Sequence, residues 1–317
     1  MSIERSIAVA GCAFFISLIT IAFFKRVAER RRWVDAAGAN PLKIHSVPIP
    51  FVGGFGIALG FFLSFALVFG QLSEGSLGIA LIPLLGLGMF ALGFCDDKTA
   101  VHPLVRLSLE VLAGVALAVG GFAVPLFNGR WVVPMGITGM ALIMVLVLFY
   151  VAGAINAVNM QDGLDGLAGG VALISCIGFV IVGALIGHWL SVALALALGG
   201  GLLAFLLYNF HPASVFMGDN GSYFVGFMLA TVSLLLTFAG GGMWCFLGGI
   251  LMIGAPVFDA AFAIVRRLKR GISPFAGDRS HFYDYLSKRG FSTRAVALIS
   301  YAIQVFLVGA GAILLLR

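Results

Sequence analysis

Long apolar runs alternate with short polar breaks along the whole of this chain. Ten runs, each close to the roughly 20 residues that cross about 30 Å of hydrocarbon, fall at approximately 6–25, 49–70, 76–95, 103–121, 132–154, 167–186, 190–208, 223–240, 243–265 and 296–316. The pattern predicts an all-α polytopic membrane protein with about ten transmembrane helices. An even number of spans puts both termini on one side. The first run lacks the short apolar core and small-residue cleavage site of a signal peptide, so it reads as a true first span. No internal repeat or linker divides the chain, which predicts a single domain over 1–317.

Charge orients the spans. Of 19 Lys and Arg residues, 16 fall in or beside the breaks after runs 1, 3, 5, 7 and 9; Arg5, Arg130 and Arg317 are the exceptions. The positive-inside bias therefore predicts that these breaks face the cytoplasm and that both termini lie outside. The net charge of +6 becomes a topology signal rather than a footprint for nucleic acid. A mean hydropathy of +1.12 and 10% charged residues exclude a soluble domain. Cys12, Cys95, Cys176 and Cys245 fall in or at the edges of runs, with no metal-like spacing; they read as small, buried apolar residues.

The cytoplasmic breaks hold the candidate chemistry. In the first, Lys43 and His45 precede Pro48, Pro50, Gly53 and Gly54, so positive or donor groups sit on a stiffened backbone suited to an anion; Lys43 could equally be one more topology residue. Asp96 and Asp97 end run 3. Adjacent carboxylates there need a cation, either Lys98 or a metal, and could chelate Mg2+ or leave one carboxylate as a base. Asn156, Asn159, Asp162 and Asp165 follow run 5 at spacings of three, which in a helical segment keeps them near one face. Gly163 and Gly166 leave amides accessible between them.

After run 7, Gly218-Asp219-Asn220-Gly221 is a turn that lifts an acid to the membrane surface beside Phe216, an aromatic able to stack on a base. Asp219 is the first choice for a metal ligand. The last break, roughly Arg266 to Arg294, interleaves charge and aromatics, with Arg279 and His281 suited to diphosphate oxygens; an amphipathic interfacial helix is the structural alternative. Acids for Mg2+ and donors for phosphate at a membrane surface fit phosphoryl transfer, which asks for alignment and charge neutralisation. A secondary transporter is the main rival, but its ion site would lie near the midplane.

These five ordered stretches, Lys43 to Gly54, Asp96-Asp97, Asn156 to Gly169, Phe216 to Ser222 and the segment around His281, resemble the polyprenyl-phosphate N-acetylhexosamine-1-phosphate transferases of the bacterial inner membrane. The resemblance implies attack by undecaprenyl phosphate on a UDP-N-acetylhexosamine, with release of UMP. It implies Mg2+ as cofactor, with Mn2+ as a substitute. The partners it implies are the two substrates and the lipid bilayer, with no nucleic acid; a homodimer is among the assemblies open to the chain. By motif position, Asp219 and Asp97 resemble metal contacts, and Asp96, Asp97, Asp162 and His281 resemble the catalytic set. Lys43, His45, Asn156, Asn159, Asp165, Phe216, Arg279 and Tyr283 take substrate-binding places. His281 matches the first histidine of a His-x-His-His motif, but Tyr283 and Asp284 stand where the second and third would be. That departure argues against the pentapeptide transferase of peptidoglycan synthesis and resembles the O-antigen branch, whose donors include 6-deoxy-N-acetylhexosamines such as N-acetylfucosamine and N-acetylquinovosamine.

Overall fold

A computed structural model describes residues 3–35, 47–72, 77–122, 136–273 and 278–317. Its helices are α1 (Ile3–Arg31), α2 (Gly53–Leu72), α3 (Leu77–Thr99), α4 (Pro103–Leu117, continued by a π turn to Phe122), α5 (Gly136–Gln161), α6 (Leu167–Leu185), α7 (Trp189–Asn209) and α8 (Gly218–Gly240). There follow α9 (Met243–Met252), α10 (Gly254–Lys269), α11 (Phe282–Lys288) and α12 (Thr293–Leu315). Among the described residues, nine helices are long and apolar enough to cross a membrane: α1 to α8 and α12. The protein is all-α and polytopic, as the apolar runs predict. The expected end of the fifth span at 154 is corrected, because α5 continues to Gln161 and carries Asn156 and Asn159 as helical residues.

A second correction concerns run 9. The expected continuous span over 243–265 is two helices, α9 and α10, turned 84° from one another. At the break Ile253 leaves helical geometry (φ −118°, ψ 31°), and Pro256 lies in the first turn of α10, where its absent N–H costs no helical bond. Backbone groups freed inside a bilayer must find protein partners. Gln304 of α12, fully buried, supplies them: its Oε1 accepts the Ala255 N–H at 2.9 Å, and its Nε2 donates to the Met252 carbonyl at 2.8 Å and to Ser175 Oγ of α6 at 2.9 Å.

Helix α8 is the most buried span and packs against α2, α3 and α5. Small residues set how closely they approach, since packing rather than water exclusion holds helices together in lipid. A Cβ on Gly93 of α3 would sit 2.2 Å from the Asp219 carbonyl oxygen, and one on Gly54 of α2 would sit 2.4 Å from the Gly221 nitrogen. These contacts bring the ends of α2 and α3 onto the first turn of α8. A two-residue antiparallel ladder, β1 (Val34–Asp35) with β2 (Ile49–Pro50), closes the same end. Phe216 is stitched to it, donating to the Pro50 carbonyl at 2.8 Å and accepting from Gly53 at 2.9 Å. All four cysteines are free; Cys176 and Cys245 are buried as expected, whereas Cys95 is exposed and Cys12 half-buried.

Candidate active site

The ends of α3, α5 and α7 and the start of α8 enclose a cleft of about 560 Å³ whose walls include Asp35, Asp96, Asp97, Asn159, Asp162, Asp165, Phe216 and Asp219. The acids differ sharply in how they are held. Asp97 Oδ1 accepts the Asp219 N–H at 2.9 Å, while its Oδ2 accepts from the Asn220 backbone at 3.1 Å and from Asn220 Nδ2 at 2.5 Å. A carboxylate from α3 thus serves the unpaired amides that begin α8. Asp96 takes Val101 N–H at 2.7 Å, Arg106 Nη1 at 2.8 Å and the Tyr223 hydroxyl at 2.5 Å. Lys98 is not the cation of the pair. Its Nζ lies over the rings of Phe94, at 4.1 Å, and Trp33, at 5.2 Å, and Arg106 fills that place for Asp96.

Asp219 Oδ1 accepts from Asn159 Nδ2 at 2.6 Å, and the same amide reaches Ser222 Oγ at 3.0 Å. Among the described residues Asp219 Oδ2 has no hydrogen-bond donor, and the Asp162 carboxylate has none on either oxygen. Asp162 is partly exposed at the cleft floor but ringed by protein. Desolvation, reinforced by the charges of Asp219, Asp97 and Asp165, holds it well above the ordinary carboxylate range. Among the described residues no three His, Cys, Asp or Glu side chains converge as a ready metal cluster. The free oxygen of Asp219 nevertheless fits Mg2+, a hard cation that takes one or two carboxylates and draws its remaining ligands from water and phosphate.

Further along the cleft, Asp165 Oδ2 accepts from His211 Nδ1 at 2.7 Å and from the Ala213 N–H at 3.0 Å. Asn209 ties the two loops together, accepting from Gly166 N–H at 2.9 Å and donating to the Val215 carbonyl at 2.9 Å.

The other expected site residues lie elsewhere. Lys43 and His45 fall outside the described residues. Asn156 is not a wall of the cleft; its Nδ2 donates to Glu110, fully buried within α4, and to the Ala152 carbonyl at 2.9 Å. His281, 4% exposed, is not a wall either. It belongs to a neighbouring cluster in which Nδ1 meets Asp259 Oδ2 at 2.8 Å and Nε2 meets Arg267 Nη2 at 3.4 Å. Asp259 Oδ1 also accepts the Phe282 N–H at 2.7 Å, so α10 carries α11. Arg267 Nε binds Asp278 at 2.7 Å. Burial would lift the Asp278 carboxyl, but the Ser280 and Arg267 bonds outweigh it and hold it below its usual value.

Arg279 pairs with Asp284 at 3.2 Å. Tyr283 stacks on His281 with ring centroids 5.1 Å apart and links the two regions. Its hydroxyl donates to the Met160 carbonyl at 3.3 Å, and a Cβ on Gly163 would lie 2.2 Å from it. Tyr283 also walls a mainly apolar cavity of about 290 Å³ between α10 and α12, with Phe258, Phe262 and Leu307.

Sequence reasoning passed over Arg106, Tyr223, His211 and Asp259. Asp259 and Glu110 carried a readable signal, an acid inside an apolar run; Arg106 carried a weaker one, a lone cation just past the aspartate pair. Tyr223 gave none, because its role depends on the α3–α8 contact.

The sequence profile described as "Glycosyl transferase family 4" matches residues 79–237. A Bacillus subtilis protein named "Probable undecaprenyl-phosphate N-acetylglucosaminyl 1-phosphate transferase" is 31% identical over 307 residues, covering 95% of this chain and 83% of its own length. The Escherichia coli K12 "Undecaprenyl-phosphate alpha-N-acetylglucosaminyl 1-phosphate transferase" is 30% identical, covering 91% of this chain and 78% of its own. The "Decaprenyl-phosphate N-acetylglucosaminephosphotransferase" of Mycobacterium leprae is 31% identical, with 81% and 71% covered.

Proposed function

The chain belongs to glycosyl transferase family 4, and on that premise we propose that it transfers an N-acetylhexosamine 1-phosphate from a UDP-sugar to undecaprenyl phosphate. An oxygen of the acceptor phosphate attacks the sugar-linked phosphorus, the bond to the uridine phosphate breaks, and the products are UMP and a polyprenyl-diphosphate-linked sugar. The observation that supports this best is a pair of acids, Asp162 and Asp219, with oxygens left free in a cleft at the ends of membrane spans.

Each residue then has a task. Asp219, with Asp97 setting its backbone, would hold Mg2+ or Mn2+; the ion supplies charge neutralisation for the transferring phosphates. Asp162, whose carboxyl is held high, takes the proton of a monoprotonated acceptor phosphate. Asp96 keeps Arg106 and Tyr223 in place. Asn159 orients Asp219, and Phe216 and Asp165 face the nucleotide. The Lys/Arg bias favours the cytoplasmic face of an inner membrane for this cleft, with both termini outside. The relatives' names favour UDP-N-acetylglucosamine as donor. Tyr283 and Asp284, in place of histidines, favour a 6-deoxy donor and a start to O-antigen synthesis as the second reading.

The test is direct. Purified protein given polyprenyl phosphate, a UDP-N-acetylhexosamine and Mg2+ should release UMP and form a lipid diphosphosugar, and Asp219→Asn should abolish turnover while the protein stays folded. Release of UDP, with a monophosphate-linked product, would sink the proposal.

A further inference from the structure

The cleft is lined by acids, yet the proposed chemistry brings two phosphorylated substrates into it. Among the described residues that line it, six are aspartates and a single side chain can carry positive charge: His211. The sequence pattern gives the imidazole role to His281, but both nitrogens of that ring are engaged, by Asp259 and Arg267, and the ring is buried outside the cleft walls. His211 is placed differently. It follows α7 directly, its side chain is 41% exposed, and its Nδ1 is committed to Asp165 Oδ2 at 2.7 Å. Its Nε2 has no partner among the described residues. The backbone that carries the ring is held too, because Arg294 in the first turn of α12 donates through Nε to the His211 carbonyl at 3.1 Å.

We propose that His211 is the phosphate-contacting imidazole of this cleft: Asp165 orients the ring through Nδ1, and Nε2–H donates to a phosphate oxygen of a substrate. The inference rests on the phosphoryl-transfer reading above, since only that reading brings phosphate here. In the imidazolium form both ring nitrogens donate. One then meets Asp165 and the other an anion, and the contact is a charge-assisted hydrogen bond. The charged group on the ring is Asp165 from the α5–α6 loop, with Asp162 further along the cleft, while Arg294 from α12 meets the His211 backbone carbonyl. The phosphate belongs to the diphosphate of the nucleotide donor or to the monoester of the lipid acceptor, and kinetics separate the two.

The experiment uses the full chain in detergent or nanodiscs, with UDP-N-acetylglucosamine and polyprenyl phosphate varied in turn and UMP binding followed by calorimetry. His211→Ala, with His211→Gln as a second variant that keeps an amide donor near the ring position, should raise the KM of one substrate by about 10- to 100-fold, the worth of a hydrogen bond to a charged group, with a smaller change in kcat. A rise confined to the UDP-sugar, with UMP binding weakened, assigns the contact to the donor; a rise confined to polyprenyl phosphate assigns it to the acceptor. Asp165→Asn, which keeps an acceptor oxygen but removes the charge that orients the ring, should raise the same KM by a smaller factor. Both KM values unchanged in a folded His211→Ala variant overturn the assignment. A wild type that binds UMP without turning over any UDP-sugar overturns the proposed reaction instead, and UMP binding in the variant still reports on His211.

Discussion

Asp97 Oδ1 accepts the backbone N–H of Asp219 at 2.9 Å, so the acid at the end of α3 fixes the backbone of the acid at the start of α8. One carboxylate supports a helix terminus and the other faces the cleft. Removing the first should therefore damage the second. Asp97→Ala is expected to cost about 1–2 kcal/mol of stability, the range for loss of a helix cap, and to raise the Mg2+ concentration needed for half-maximal turnover. Thermal unfolding and a Mg2+ titration read the two effects. A variant with lowered stability and unchanged Mg2+ dependence would show that the cap and the site are independent.

Asp96 and Asp162 make a contrasting pair. Three donors hold Asp96, whereas Asp162 has no donor and is surrounded by charges of its own sign. Asp96→Asn weakens a buried pair with Arg106 and should lower the unfolding temperature. Asp162→Asn should raise it by a few degrees while abolishing turnover, a trade of stability for activity at a site. The sign follows from linkage. A carboxyl held above its unfolded value binds its proton more tightly in the folded state, so folding loses stability as pH rises above the unfolded value of about 3.9. The gain in Asp162→Asn should therefore be present near pH 7, fade toward pH 4, and shrink when Mg2+ compensates the charge. Equal unfolding temperatures for wild type and Asp162→Asn at pH 7 without Mg2+ would refute it.

Gln304 sits at the break between α9 and α10 with its oxygen and both amide hydrogens used. Gln304→Leu keeps much of the volume and strands the Ala255 N–H and the Met252 carbonyl, at about 1–3 kcal/mol for each unsatisfied group. Because α10 carries Asp259, and Asp259 holds His281 and Phe282, the change should also loosen α11. Spin labels at exposed Lys288 and at a fixed position on α6 should give a broader distance distribution in the variant. A distribution as narrow as wild type, with stability unchanged, would mean that the break holds itself.

The spans were legible because a bilayer imposes a length on every apolar run, and the family was legible because its polar stretches keep their order. The break at Ile253 was not. Residues 243–265 read as one apolar run with basic residues directly after it, and what stabilises the bend is a glutamine some fifty residues further on. The convergence of Asp96, Asp97, Asp162, Asp165 and Asp219 on one cleft could be read from span ends. Their division of labour could not, since it depends on donors from other elements: Arg106 and Tyr223 for Asp96, the α8 amides for Asp97, His211 for Asp165. His281 shows the same limit, for its partner Asp259 lies 22 residues earlier inside an apolar run.

Tyr283 touches both regions, stacking on His281 and lying against Gly163 at the edge of the cleft. Its hydroxyl reaches the Met160 carbonyl, two residues before Asp162, while Asp284 is held by Arg279. A change here alters the support of Gly163 in the cleft wall without removing any of the cleft carboxylates. Tyr283→His with Asp284→His should therefore change the ratio of kcat/KM for UDP-N-acetylglucosamine to that for a 6-deoxy analogue by about 10-fold, the scale of discrimination that one or two altered contacts provide. His281→Ala should instead lower turnover for every donor alike, because it frees Asp259 and Arg267 and unseats α11 as a whole. An unchanged donor ratio in a folded, active double variant would place Tyr283 and Asp284 outside the sugar-recognising wall and remove the structural support for a 6-deoxy donor.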